Sequence, residues 1–388
     1  MRKRGKRAGR GRVGRRSKHR FTAIDLFAGC GGLTSGLRAA GFEVLAAIEK
    51  DQDSAATYKA NQPDVKLYQM DIRLVSPKRV LRGLNLQQGE TVDLIAGCPP
   101  CQGFTRLTEN RGRPDRRNGL VRQFLRFVRA IRPKVCMLEN VPGLRTTRKG
   151  RRYFNELRRG LEDAGYHVSY EIVELADYGV PQFRKRLVLL AARGQAIPIP
   201  VATHHDPTRS GKSGQHRWRT VRDVIGDLPT PPLRSAVLSG DAIARYGWHY
   251  SRDVSPIVRR RLKHAMSNGQ RRTSLPPSLR LTCHKRRTAG YYDVYGVIDW
   301  DKPSPTITSG CTNASKGRFG HPSEPRPLTA TEAAALQSFP LSYKFKGLGV
   351  ESVAAQIGNA LPRRFAEVVG KTIIRRLSAY YGAATVVP

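Results

Sequence analysis

The sequence predicts an α/β protein built on a doubly wound, mostly parallel sheet, joined to a smaller and irregular second lobe. Three observations carry this expectation. Short apolar runs bounded by turn residues recur at Phe21–Phe27, Phe42–Ile48, Val92–Ala96, Val135–Leu138 and Leu187–Ala191. Helical patterns lie between them. The alternation then stops after about residue 194, where Pro, Gly, Ser, His and Arg dominate until about residue 325.

Residues 1–20 hold eleven Lys or Arg and no acid. With almost no apolar groups they read as a disordered tail that acts through charge. Order begins with the buried strand at Phe21–Phe27, which turns through Ala28-Gly29-Cys30-Gly31-Gly32 into a helix. That helix presents Leu33, Leu37 and Ala40 on one face and stops at Gly41. The second strand runs from Phe42 to Ile48 and ends at Glu49. Leu120, Val121, Phe124, Leu125, Val128 and Ile131 mark a helix ahead of the strand at Val135. Helical periodicity returns at Thr329–Gln337 and Val353–Ile374, and this part is expected to fold back on the first lobe. The expected division is a tail over 1–20, a main domain over 21–194, the second lobe over 195–325, and a C-terminal segment over 326–388 that completes the main domain.

The chain has 388 residues and a formal net charge of +39, with a pI near 10.9. Outside the tail, 58 basic residues still face 30 acidic ones, so the excess is general. Such a protein repels itself unless a polyanion is near, and nucleic acid is the expected partner. No apolar run is long enough to span a bilayer and no signal peptide is visible, so no membrane role is expected. Six scattered cysteines are too few for a disulfide scaffold at this length, which fits a reducing cytoplasm.

The candidate chemistry sits at strand ends. The turn at Asp25–Gly32 brings three glycines to a helix N-terminus, where backbone can approach a nucleotide-like ligand. Glu49 ends the next strand, placed to accept hydrogen bonds from ribose hydroxyls, and Asp71 follows at Tyr68-Gln69-Met70-Asp71. Glu49 alone would be equally well explained as a solvated carboxylate. Gly97-Cys98-Pro99-Pro100-Cys101-Gln102 follows a buried strand, and its prolines would hold the Cys101 thiol in a fixed direction. On spacing alone, Cys98 and Cys101 could be a redox dithiol, or Cys101 a nucleophile with Cys98 in the core. Half a zinc site is disfavoured because no second ligand pair exists, so no metal is expected. Glu139 lies at the mouth of a further strand, and Pro181-Gln182-Phe183-Arg184-Lys185-Arg186 places two arginines two apart at the start of another. A cysteine, a glutamate and an arginine together suit covalent activation of a cytosine: thiolate on C6, acid on N3, arginine on O2.

Six segments resemble the ordered signature blocks of the cytosine-5 DNA methyltransferase family. They are Asp25–Leu33, Pro99–Gln102, Glu139–Val141, Gln182–Arg186, Arg326–Thr329 and Gln356–Pro362. The resemblance covers roughly residues 20–190 and 325–375. It implies a Rossmann-like, class I methyltransferase fold and S-adenosylmethionine as cofactor. The domain over 21–194 then becomes the catalytic and cofactor-binding domain, and the lobe over 195–325 the target-recognition lobe. It further implies Cys101 as nucleophile, Glu139 at N3, Arg186 near O2, and Arg184 near the nucleophile and a phosphate. Phe27, Gly29, Glu49, Asp71, Ile72 and Pro100 would line the cofactor pocket, closed by Asn359 and Ala360. The family more usually has Ser where Ala360 stands, which removes one hydroxyl. The reaction implied is methyl transfer to C5 of a flipped-out cytosine in duplex DNA, through a covalent Cys101–C6 adduct. A prokaryotic or phage modification enzyme is expected, monomeric, working at the nucleoid, alongside a cognate restriction endonuclease where one exists. Phe104-Thr105 departs from the Ser more usual in DNA enzymes, which keeps a tRNA-methylating enzyme as the alternative, with a catalytically dead nucleic-acid-binding protein behind it.

Overall fold

The computed structural model describes residues 20–84, 86, 90–100, 116–237, 247–267, 272–281 and 292–384. Its centre is a seven-stranded sheet: β1 (Thr22–Leu26), β2 (Glu43–Ile48), β3 (Lys66–Tyr68), β4 (Leu94–Gly97), β5 (Val135–Asn140), β6 (Tyr166–Glu174) and β7 (Lys185–Arg193). The order across the sheet is β3-β2-β1-β4-β5-β7-β6. The first five strands are parallel, whereas β7 runs antiparallel to both β5 and β6. This is the doubly wound, mostly parallel α/β sheet that the sequence predicts. Its strand order reverses between β1 and β4, the place where such folds bind ligands beyond the carboxyl ends of the strands.

Both faces of the sheet are covered, so its strands are apolar in and out. Ala23, Val44, Leu94, Met137 and Leu190 pack under α1 (Gly32–Ala40) and the C-terminal helix. Ile24, Leu26, Ile95, Leu138 and Leu189 pack under α3 (Pro77–Arg82), α4 (Leu120–Ile131) and α5 (Arg148–Glu162). Helix α2 (Gln52–Asn61) connects β2 to β3. Helix α4 repeats the sequence pattern closely, burying Leu120, Val121, Phe124, Leu125, Phe127 and Val128.

Between β7 and the C-terminal helices lies an irregular stretch. Its described part holds the short parallel pair β8 (His204–His205) and β9 (His216–Arg217) and helix α6 (Pro256–Ser267). A third apolar cluster joins Val221, Ile225, Ile298 and Ile307 from this region to α7 (Ala330–Leu336) and α8 (Val350–Asn359). Helix α7 starts with a capping box between Thr329 and Glu332.

The single helical pattern expected over Val353–Ile374 is broken into α8 and α9 (Arg363–Ala384). Ala360-Leu361-Pro362 makes the break. A residue before proline is driven out of the helical region, and proline then opens the new helix. Helix α9 returns to α1 at very short range. A Cβ on Gly36 would lie 2.4 Å from the Ala366 Cβ and 2.5 Å from the Arg363 carbonyl oxygen. Only glycine permits that contact, and through it α9 joins α1.

Candidate active site

Residues of seven segments converge on one cleft of about 710 Å³ at the carboxyl end of the sheet. It is lined from Phe27 and Gly29 after β1, Glu49 after β2, Asp71 and Ile72 after β3, and Pro100 after β4. Glu139 at the end of β5, Arg184 and Arg186 around the start of β7, and Asn359 and Ala360 after α8 complete the expected set. Cys101 lies outside the described residues, as do Phe104, Thr105 and the tail up to residue 19. Arg20, the last residue of that tail, is paired with Glu43 and Glu90.

The turn after β1 is shaped by its backbone. Phe27 has a φ of 63°, in the left-handed region that a bulky side chain rarely adopts, and Gly29 follows at 55°. The space in front of Gly29 is open: a Cβ there would meet nothing within 4 Å. Glu49 accepts hydrogen bonds from the backbone N–H groups of Gly29 (2.8 Å), Lys50 (2.8 Å) and Asp51 (2.7 Å). Burial pushes its carboxyl above the ordinary range, and these three donors oppose the shift. A carboxylate offers about four acceptor sites, so a ligand hydroxyl can still be received. The free, solvated carboxylate weighed from the sequence does not describe this residue.

Asp71 differs. Its carboxylate accepts from Arg73 at the backbone N–H (3.0 Å), Nε (3.0 Å) and Nη2 (2.6 Å). The Arg73 side-chain hydrogen bond holds Asp71 down at about 2, so it is an acceptor only.

The base-side groups meet at the ends of β5 and β7. Glu139 pairs with Val188 across these antiparallel strands, so Arg186, two residues earlier, sits diagonally on the same face. The Arg186 Nε lies 2.7 Å from the Glu139 Oε1, and both side chains are largely buried. Gly97 is in register with Leu138, which brings Cys98 beside Glu139. Burial first, and the Glu139 carboxylate second, push the Cys98 thiol well above its ordinary range. Cys98 packs against the apolar layer on the α1 side of the sheet, and a thiol held protonated there is a poor nucleophile and a poor redox partner. Asn140 donates from Nδ2 to the Pro99 carbonyl at 3.0 Å, fixing the start of the loop that leads to Cys101.

Arg184 is placed otherwise. It is 4% exposed, and its guanidinium donates to the carbonyls of Ile307 (2.8 Å) and Gly358 (3.0 Å) and to the Gln182 Oε1 (3.3 Å). Gln182 itself accepts from the Ile307 N–H (2.9 Å) and donates to the Gln337 Oε1 (3.0 Å). Gln182, Arg184 and Gln337 thus tie the 306–309 segment and the end of α8 to the start of β7.

A sheet of this order, an acid after each of β2 and β3, and a glutamate–arginine pair at β5 and β7 are joined by a match over nearly the whole chain. The family model of C-5 cytosine-specific DNA methylases covers residues 21–375. The chain belongs to that family.

It is therefore a methylase acting on C5 of cytosine in DNA. Type II methylase M.HgiDII of Herpetosiphon aurantiacus is 38% identical to it, over 92% of this chain and 96% of that protein. Type II methyltransferase M1.HphI of Haemophilus parahaemolyticus is 32% identical, over 92% and 87%. Among solved structures, a DNA modification methyltransferase encoded within an Escherichia coli prophage shares the fold, with a TM-score of 0.66 at 23% identity, covering 92% of this chain and 99% of that one. Spodoptera frugiperda DNMT2 also shares it, at a TM-score of 0.56 and 17% identity, covering 91% and 99%.

Sequence reasoning did not single out several cleft residues of the methylase. Lys50 follows Glu49 directly, Ser352 comes from α8, and Thr306 to Ser309 come from the irregular stretch. No periodicity marks the last group. Among the described residues no group of three His, Cys, Asp or Glu side chains is arranged to hold a metal, and no helix is long and apolar enough to cross a membrane.

Proposed function

We propose that this methylase transfers the methyl group of S-adenosylmethionine to C5 of a cytosine flipped out of a specific duplex sequence, with Cys101 as nucleophile and Glu139 and Arg186 as the groups that handle the base. The observation that carries this reading is the Glu139–Arg186 pair, which faces the cleft at the strand neighbouring the Pro99-Pro100 loop.

The cofactor end of the cleft fits the group. Open space in front of Gly29, an acceptor left on Glu49, an anionic Asp71 and the apolar sides of Phe27 and Ile72 suit an adenosine moiety. When bound, S-adenosylmethionine supplies an electrophilic methyl on its sulfonium. The protein does the rest. The Cys101 thiolate adds to C6 of the base while Glu139 donates a hydrogen bond or proton at N3, and Arg186 holds O2. Transfer to C5 would break the sulfonium S–methyl bond and leave the spent cofactor as a neutral thioether, and loss of the C5 proton to water then lets the Cys101 thiolate leave. Flipping costs a few kcal/mol, which phosphate contacts from so cationic a protein offset.

The tail over 1–20, the catalytic domain over 21–194 and 326–388, and target reading by the lobe over 195–325 are part of the same proposal. The Type II names of the relatives support a role in host modification, paired with a restriction endonuclease, on DNA in the cytoplasm.

The test is transfer of labelled methyl groups to duplex DNA and, in parallel, to tRNA. Cys101→Ala abolishes transfer while Cys98→Ala keeps most of it, and DNA carrying 5-fluorocytosine at the target traps a covalent adduct. Equal loss in both variants without an adduct refutes the nucleophile, and transfer to tRNA alone refutes the substrate.

A further inference from the structure

Helix α5 carries six cations, Arg148, Lys149, Arg151, Arg152, Arg158 and Arg159, and two acids. Both acids are engaged: Glu156 pairs with Arg122 (2.6 Å) and Glu162 with Arg158 (2.8 Å). Arg148, Arg152, Asn155 and Arg159 recur at the four-three-four spacing of one helix face, and all four are exposed. Arg129 of α4, also exposed, faces Arg152, Asn155 and Arg159 across a groove of about 620 Å³ whose lining also includes Glu156 and Asp163, with Arg148 one turn beyond it. The two helices come this close because position 160 is glycine: a Cβ there would lie 2.4 Å from Leu125. Among the described residues none of Arg129, Arg148, Arg152 and Arg159 forms a salt bridge within 4.0 Å, and Arg152 acts on Glu156 only at longer range, behind the Arg122 contact.

Position decides what such a stripe can meet. Helices α4 and α5 cover the sheet face opposite α1 and α9, whereas Glu139 and Cys98 lie on the α1 side. The groove is therefore outside the cleft. Yet α5 begins eight residues after Asn140, at the carboxyl edge of the sheet where the cleft lies, and runs away from it. At about 1.5 Å per residue, the stripe from Arg148 to Arg159 spans roughly 17 Å, the length of about five base pairs of duplex. Like charges four apart repel, and cations in the first turn oppose the helix dipole, so the arrangement weakens the free helix. Four guanidinium forks and an amide suit phosphate oxygens better than they suit water alone.

We propose that the α4–α5 groove binds backbone phosphates of the substrate duplex beyond the methylated site, adding affinity without reading sequence. This rests on DNA as the substrate. The test uses the full-length protein and its own target, located by bisulfite sequencing of DNA from cells expressing it. Two duplexes are compared: one holding the site alone, and one extended by a full turn (about 10 base pairs) on each side. In the triple variant R129Q/R152Q/R159Q, binding to the short duplex and its methylation rate stay as in the unaltered protein. On the long duplex the slope of log affinity against log salt flattens by about 2.7, at about 0.9 for each phosphate no longer neutralised. The single variants R152Q and R159Q each account for about 0.9 of that slope, which keeps the test intact should the triple variant fold poorly. An unchanged slope on the long duplex overturns the proposal, as does an equal loss on the short one, which would assign these arginines to the cleft. Absence of methyl transfer to either duplex by the unaltered protein would instead overturn the reaction itself.

Discussion

Replacing Arg184 by Leu separates a structural tie from a group that touches DNA. The Arg184 guanidinium donates at 2.8 Å to the Ile307 carbonyl, at 3.0 Å to the Gly358 carbonyl and at 3.3 Å to the Gln182 side chain. Hydrogen bonds from a charged donor contribute about 1.5–3 kcal/mol each, and acceptors left buried without partners cost a similar amount. Taking the low end for all three, the substitution destabilises the protein by about 4.5 kcal/mol. With unfolding entropy of about 2.1 cal/mol/K per residue, 388 residues give roughly 0.8 kcal/mol/K. The melting temperature therefore falls by about 5–6 °C. A thermal melt followed by circular dichroism reads this directly. Hydrogen exchange should quicken at residues 306–309 and 358–360 before the rest of the sheet. Arg184→Lys recovers only part of the loss, because one ammonium cannot serve three acceptors at those positions. An Arg184→Leu protein that melts with the unaltered one, yet transfers no methyl groups, refutes the tie and returns Arg184 to the DNA side of the site.

Glu49→Ala weakens cofactor binding about ten- to a hundredfold, the worth of one charge-assisted hydrogen bond, and leaves DNA affinity as it was; calorimetry with S-adenosylmethionine checks both. Asp25 is wholly buried, and burial, the largest cause, raises its carboxyl from 3.8 to about 7. The folded protein then binds a proton that the unfolded chain has lost, so stability falls as pH rises from about 4 to about 7 and changes little beyond. At 1.36 kcal/mol per unit the drop is on the order of 4 kcal/mol. Asp25→Asn, which still accepts from the Thr34 hydroxyl, flattens this slope, and denaturant melts across that pH range would show it. Gly36→Ala drives a methyl group into Ala366 and Arg363, at an overpacking cost of about 1–3 kcal/mol. Its effect is a lower denaturant midpoint together with weaker cofactor binding, since α9 follows directly on the Asn359–Leu361 wall of the cleft.

Much of the catalytic half was legible because strands buried on both faces leave long apolar runs, and β1, β2, β4, β5 and the core of β7 all carry one. Strand β3 has only Lys66-Leu67-Tyr68 at the sheet edge, where one partner suffices and no apolar run is needed. Helix α5 is hard to see in the sequence because its exposed face is so heavily cationic that Phe154, Leu157 and Leu161 stand out little from the surrounding charge. The reversed direction of β7 is set by a hairpin with β6, which periodicity alone does not encode. At the site, residue types at strand ends located Glu49, Asp71, Glu139 and Arg186. Thr306–Ser309 reach the same cleft through backbone hydrogen bonds to Gln182 and Arg184, and bonds of that kind leave no pattern in the chain.

The close approach of α9 to α1 has a consequence for how the protein is made. Walls of one cleft come from Phe27 and from Ala360, and α9, which seals the α1 side of the sheet, is synthesised after both. A ribosome adding some 5–20 residues per second needs several tens of seconds to pass from one to the other. During that interval Leu33, Leu37 and the α1 face of the sheet wait without their partner, exposed to chaperones or to the α9 of a neighbouring copy. A chain cut short before residue 363 holds Glu49, Asp71 and Glu139 but lacks the helix that covers the α1 side of the sheet.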